Sequence, residues 1–193
     1  MRRALFAWGA AGVLALAAGA GTAWVQTGRS TNLDGRGPGP WKTSSGTGEA
    51  SDSAFDRAVI ARTGIWALPQ SEVVYFTADT DDDGRPLDAR CSYELKRRGE
   101  LKARWWSIAA YVDYRWVDNP LDRYSYSSTN LERESGGDYV VRLSATPQPG
   151  NWLPLGDKPG RVSVLTRLFQ PDPAIAAAPE KVPLPTIRRV ACA

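Results

Sequence analysis

Hydrophobic positions follow three regimes along this chain. From residue 4 to residue 25 they run on unbroken, Ala/Gly/Leu-rich and uncharged, for about 22 residues, and an α-helix needs roughly 20 to cross a hydrocarbon core. Residues 26–51 then turn to Gly, Ser, Thr and Pro, with Gly37-Pro38-Gly39-Pro40 at the centre, which predicts a linker. Trp41 is the exception, because an indole in a linker usually has a surface to pack on. From residue 52 onward the apolar positions come in short periodic groups. Residues 52–63 place Phe55, Val59 and Ile60 on one helical face, with Ser51 or Asp52 to cap the helix and Gly64 to stop it. Strands are predicted at 72–78 (EVVYFTA), 89–96, 104–112 (RWWSIAAYV), 139–144 (YVVRLS) and 161–169 (RVSVLTRLF). Turn signals separate them at Gly136-Gly137, at 147–150 and at 157–160. Asp172-Pro173 opens a short helix reaching Ala178, and 182–190 runs extended towards Cys192. Short strands with turns between them predict an all-β fold, an antiparallel sandwich with a short N-terminal helix.

Charge gives the apolar run a direction. Arg2 and Arg3 precede it and nothing charged lies within it, so the positive-inside rule places the N-terminus in the cytoplasm. Trp8 and Trp24 lie near its two ends, where indoles favour the headgroup level. The expected arrangement is a single pass through a bacterial inner membrane by residues 4–25, with the C-terminal domain in the periplasm. A cleaved signal peptide is the alternative, with small residues at Ala18-Gly19-Ala20 or Gly21-Thr22-Ala23. The run is, however, longer than the roughly 7–15 residues of a signal core. Both readings export the domain. The chain thus divides into 1–25, a transmembrane signal anchor or signal peptide; 26–51, a linker; and 52–193, the β-sandwich domain.

Composition removes several chemistries. The net charge is +3, and Arg2 and Arg3 supply two of those units. The nearly neutral remainder has no electrostatic case for nucleic acid, whose binding rests on many phosphate contacts. The chain has no histidine, which excludes Ser-His-Asp and Cys-His catalysis and every histidine metal site. Any enzyme here would rely on carboxylates, Tyr, Lys or Arg. The two cysteines, Cys91 and Cys192, suit one disulfide in an oxidising compartment, with two unpaired thiols as the alternative. A bridge closing a loop of about 100 residues would contribute near 4.7 kcal/mol through the unfolded chain. Two sulfurs without histidine leave a tetrahedral shell half empty, so neither metal nor cofactor is predicted.

Two stretches offer candidate chemistry. Asp79, Asp81, Asp83 and Gly84 have the spacing of a calcium loop, but Arg90 stands where a bidentate glutamate is needed. A solvated hairpin turn is expected instead, with Gly84 at positive φ. Aromatic residues crowd 105–126 together with Asp, Asn and Arg. Such a mixture suits a small-molecule or glycan ligand, since rings cover apolar C–H faces while polar groups fix orientation. The candidate surface comprises Trp105 or Trp106, Asp113, Asn119, Arg123 and Tyr124. The alternative role for these aromatics is core packing, with one of Trp105 and Trp106 pointing inward and the other outward. Ser107, Ser125, Ser127 and Ser128 have no base to activate them.

Several segments together resemble a known family. Arg104-Trp105-Trp106-Ser107, Asn119-Pro120, Arg123-Tyr124-Ser125, Asn151-Trp152-Leu153-Pro154 and Arg167-Leu168-Phe169-Gln170-Pro171 occur in the order seen in the Domain of Unknown Function 1214 family. The resemblance implies a jelly-roll-like β-sandwich and no particular activity. Gly39-Pro40-Trp41, Tyr75-Phe76-Thr77-Ala78, Gly84-Arg85-Pro86-Leu87-Asp88, Cys91 and Cys192 resemble a short, membrane-anchored bacterial subgroup. One departure stands out: the family's Asp-x-x-Gly turn is replaced after Tyr111 by Val112-Asp113-Tyr114-Arg115, which predicts a distorted hairpin or another job for Asp113. Three functions fit: an envelope ligand-binding or interaction module, a carboxylate-dependent hydrolase or lyase, or a structural subunit of a membrane complex. A reporter fused after Cys192 is expected to be active only when it is a periplasm-dependent one. Activity of a cytoplasm-restricted reporter would contradict the topology, and N-terminal sequencing separates anchor from cleaved peptide.

Overall fold

The computed structural model describes residues 2–29, 37–43, 48–63 and 67–192. Helix α1 spans Arg2–Arg29. Its segment Phe6–Gly28 is long and apolar enough to cross a membrane, a property shared with signal sequences. Phe6, Trp8, Leu14, Leu16 and Trp24 on it are all exposed, an arrangement that water penalises at roughly 25 cal/mol per Å2. Protein contacts gather at its C-terminal end. There Thr27 Oγ1 donates back to Ala23 O at 2.8 Å, and Arg62 of helix α2, Ala54–Thr63, donates to Trp24 O and lies 4.0 Å from the Trp24 ring centroid.

The cap of α2 is Ser53, one or two residues beyond the expected position. Ser53 Oγ accepts from Asp56 N at 3.1 Å while the Asp56 carboxylate accepts from Ser53 N, a reciprocal capping box. Asp52 instead accepts from Gly48 N at 2.8 Å. Val59 is buried, whereas Phe55 is exposed. Gly64, expected to stop the helix, lies outside the described residues.

The described residues contain nine strands: β1 Trp41–Thr43, which precedes α2, then β2 Val73–Ala78, β3 Cys91–Arg97, β4 Ala103–Val112, β5 Ser125–Ser127, β6 Tyr139–Ser144, β7 Asn151–Pro154, β8 Val162–Pro171 and β9 Thr186–Cys192. They form a five-stranded sheet, β1-β2-β8-β4-β5, and a four-stranded sheet, β7-β6-β3-β9. Trp106, Ile108, Val164 and Leu168 of the first sheet and Tyr93, Leu95, Val141, Leu143 and Ile187 of the second share one core. Trp106 stacks on Tyr139 across it, 5.2 Å between centroids. Asp172 caps the short helix α3, Pro173–Ala177, by accepting from Ala174 N. A disulfide joins Cys91 to Cys192, directly opposed on β3 and β9.

Three features depart from the expected plan. The sandwich is not wholly antiparallel, because β7 runs parallel to β6. Alternation reports which face a residue takes and is blind to strand direction. Asn151 anchors the start of β7: its amide donates to Val140 O and Glu132 O at 2.9 and 2.8 Å and accepts from Glu132 N at 2.8 Å. Second, the segment after β2 is no hairpin turn between neighbours, since β2 and β3 belong to different sheets. Gly84 does take φ +79°, but Asp81 is buried and paired with Arg85 and Arg189, and Asp82 accepts from Ile187 N at 2.9 Å. The acidic loop is thus pinned to β9. Third, β1 forms inside the expected linker. Trp41 there is 2% exposed and donates its indole N–H to Pro185 O at 2.7 Å. Trp41→Phe should lower the unfolding free energy by about 1–3 kcal/mol, since it strands a buried carbonyl. An unchanged urea midpoint would show that this bond does not hold β1 in place.

Candidate functional site

The residues singled out in 105–124 do not form one surface: Asn119, Arg123 and Tyr124 share a loop, whereas Trp105, Trp106 and Asp113 lie apart from it. Trp106 is 1% exposed and belongs to the core, while Trp105 points to the outer face of the five-stranded sheet. Asp113 lies beyond the far end of β4, about 26 Å from Trp105 at strand spacing. There Asp113 and Tyr114 take φ of 49° and 60° in a two-residue turn closed by Val112 and Arg115. That is the glycine-free replacement for the family turn. Asp113 ties it to the residue ahead of β8 by accepting from Arg161 N at 3.1 Å. Asn119 organises the next loop, its amide donating to Val117 O and Arg123 O and accepting from Leu121 N and Arg123 N. Arg123 donates to the Tyr126 hydroxyl at 2.6 Å, which also accepts from Trp152 N at 3.0 Å. Tyr124 meets Trp116 edge-on, and a hydrogen bond from its hydroxyl to Asp122 raises its pKa.

A concave site surrounds Trp105 instead. A cleft of about 310 Å3 is lined by Leu68, Glu72, Val73, Arg104, Trp105, Phe169 and Gln170. Its floor comes from the ladder: Val73 pairs with Phe169, and Phe169 with Trp105, so three side chains of β2, β8 and β4 share one row. The Trp105 and Phe169 rings lie 5.1 Å apart, inclined at 59°. Leu68, in the segment before β2, forms the opposite wall. The rim is polar and carries both signs of charge, with Arg104 donating to Gln170 Oε1 at 2.9 Å. Gln170 holds φ at +44°, a left-handed conformation unusual for a residue other than glycine. Its backbone N–H donates to Glu72 O at 2.7 Å, which fixes that conformation at the lip of the cleft. Strained residues of this kind gather at functional sites.

Beyond the cleft the same outer face becomes polar. Arg167 pairs with Tyr75 on one side and Ser107 on the other. It donates to the Tyr111 hydroxyl at 2.8 Å, reaching over the buried Ala109. Tyr111 in turn packs on Trp116 at 4.3 Å. Burial raises the pKa of Tyr75, opposed by its backbone hydrogen bond at Leu68 and the nearby Arg167 charge. These residues were missed because their partners come from distant strands; the local signal is the alternation of β8, which sends Arg167 and Phe169 outward together.

Two segments that carry the family resemblance, 104–107 and 167–171, are therefore side by side and supply the cleft. Residues 72–173, just over half the chain, match the family described as protein of unknown function DUF1214, and the chain belongs to that family. No curated protein matches it. Among solved structures it is similar to the VPA0106 protein from Vibrio parahaemolyticus, at 24% identity and a TM-score of 0.58, over 72% of this chain and 36% of that one. It is also similar to an uncharacterized protein from Burkholderia cenocepacia, at 20% identity and a TM-score of 0.39, over 62% of this chain and 29% of that one. This chain thus spans about a third of the length of these structures. The first likeness supports the fold alone.

The Arg123–Tyr126–Trp152 link makes Arg123 a fastening of the 119–126 loop. Arg123→Ala should reduce stability by about 1 kcal/mol while leaving the Trp105 cleft unaltered, as read by urea denaturation and by tryptophan fluorescence of the native state. An unchanged midpoint would show that this contact does not stabilise the loop.

Proposed function

We propose that this protein is a membrane-anchored ligand-binding module of the bacterial envelope. In this reading it belongs to a short, anchored subgroup of its family, and a jelly-roll-like sandwich in the periplasm holds a sugar-like ligand in the Trp105 cleft. The observation that carries the reading is the cleft itself. A half-buried pair of aromatic rings lies beside a rim of amide, guanidinium and carboxylate. Rings of this kind cover the C–H face of a sugar, and donors and acceptors together suit hydroxyl groups. Among the described residues lining the cleft, Glu72 is the sole carboxylate, half of the pair that glycoside hydrolysis requires. Binding therefore fits the geometry better than hydrolysis. The long apolar α1 with arginines at its start supports an uncleaved anchor, and the disulfide supports export.

Mono- and oligosaccharides titrated against the full chain in detergent micelles should quench tryptophan fluorescence saturably at millimolar concentrations, about −4 kcal/mol of binding free energy. Trp105→Ala should abolish the response, whereas Trp116→Ala, at an exposed position away from the cleft, should retain it. A wild-type protein silent to every sugar would contradict the reading, as would a response that survives Trp105→Ala.

A further inference from the structure

Arg167 carries its charge on the outer face of the five-stranded sheet with no carboxylate paired to it among the described residues. It is half-buried, midway along a strand with hydrogen-bonded neighbours on both sides. Several arginines here take acidic partners, Arg85 with Asp81 and Asp83, Arg90 with Asp88, Arg133 with Glu100, and Arg142 and Arg188 with Glu94, whereas Arg97, Arg104 and Arg123 take neutral oxygens. Arg167 forms no ion pair among the described residues, and its hydrogen-bond partner is the neutral phenol of Tyr111. Partial burial of a charge is unfavourable unless something compensates it. Its surroundings are neutral and mostly hydroxylic, with Tyr75, Ser107 and Tyr111 on the same face.

We infer that Arg167, flanked by Tyr75 and Tyr111 on the outer face of the five-stranded sheet, is a binding site for an anionic oxygen group, a carboxylate or phosphate. The planar guanidinium presents parallel N–H donors that match such groups. A phenol hydroxyl can both accept and donate a hydrogen bond. Residue 167 is two positions from Phe169 on β8, about 6.7 Å between backbone positions at strand spacing, and its guanidinium extends further along the face towards Tyr111. This extends the ligand-binding reading and rests on it for the ligand as a whole: the cleft takes the ring, and Arg167 takes an acidic substituent.

The test compares glucose, glucuronate and glucose 6-phosphate on the full chain in micelles at constant ionic strength. At least one acid should bind about tenfold more tightly than glucose, equivalent to about 1.4 kcal/mol; which one does so distinguishes carboxylate from phosphate. Arg167→Gln should remove that preference while keeping glucose affinity, whereas Trp105→Ala should weaken all three. Equal affinities in the wild type, or an acid preference that survives Arg167→Gln, overturn the inference. Should no sugar bind, the cleft reading fails, and inorganic phosphate decides the anion site separately. A saturable shift of the Arg167 Nε–H resonance, absent with chloride at matched ionic strength, upholds it; no shift overturns it.

Discussion

The ladder between β4 and β8 is the constraint on which the rest depends. Its register sets Trp106 opposite Leu168 and Trp105 opposite Phe169. Because strand side chains alternate, a slip of one residue in either strand would exchange core and surface. In the observed register Trp106, Ile108, Val164 and Leu168 face the core, leaving Trp105, Phe169 and Arg167 outward. The cleft is thus a consequence of how the core closes. Stability and the candidate site share one pair of strands, and the surface residues follow from packing beneath them.

The periphery holds this pair in place from several directions. Strand β9 completes the second sheet, fastened by the disulfide and by Asp82, whose carboxylate and backbone N–H meet Ile187. Trp41 brings the N-terminal side onto the same region through Pro185. The segment ahead of β2 is tied down by Glu49, which accepts from Gln70 N at 2.9 Å. Leu68 thereby becomes a fixed wall of the cleft. Arg62 of α2, packed on the end of α1, continues this chain of contacts to the apolar helix. Residues around Trp24 and α2 therefore form one junction.

Legibility in the sequence tracks the length of periodic signal. Strands β2, β4, β6 and β8 have six to ten residues with clear alternation or β-branched content, and the sequence places each within about two residues. Strands β1, β5 and β7 have three or four residues, WKT, SYS and NWLP, too short for a period to show. The parallel sense of β7 depends on how Asn151 satisfies carbonyls on other segments. For the candidate site, aromatic density pointed to β4 and Trp105, then to neighbours in sequence. Strand geometry carries those neighbours away, and the partners of Trp105 come from residues 68–73 and 169–170. Nothing in Gln170 itself announces a left-handed backbone, because glycine is the residue that would signal one.

Side-chain footprinting measures the β4–β8 register without knowledge of any ligand. Hydroxyl radicals applied to the full chain in micelles, with oxidation located by tandem mass spectrometry, should modify Trp105 readily and leave Trp106 protected until the domain unfolds. Equal modification of the two indoles in the folded protein, or preferential oxidation of Trp106, would contradict the register and with it the outer-face site.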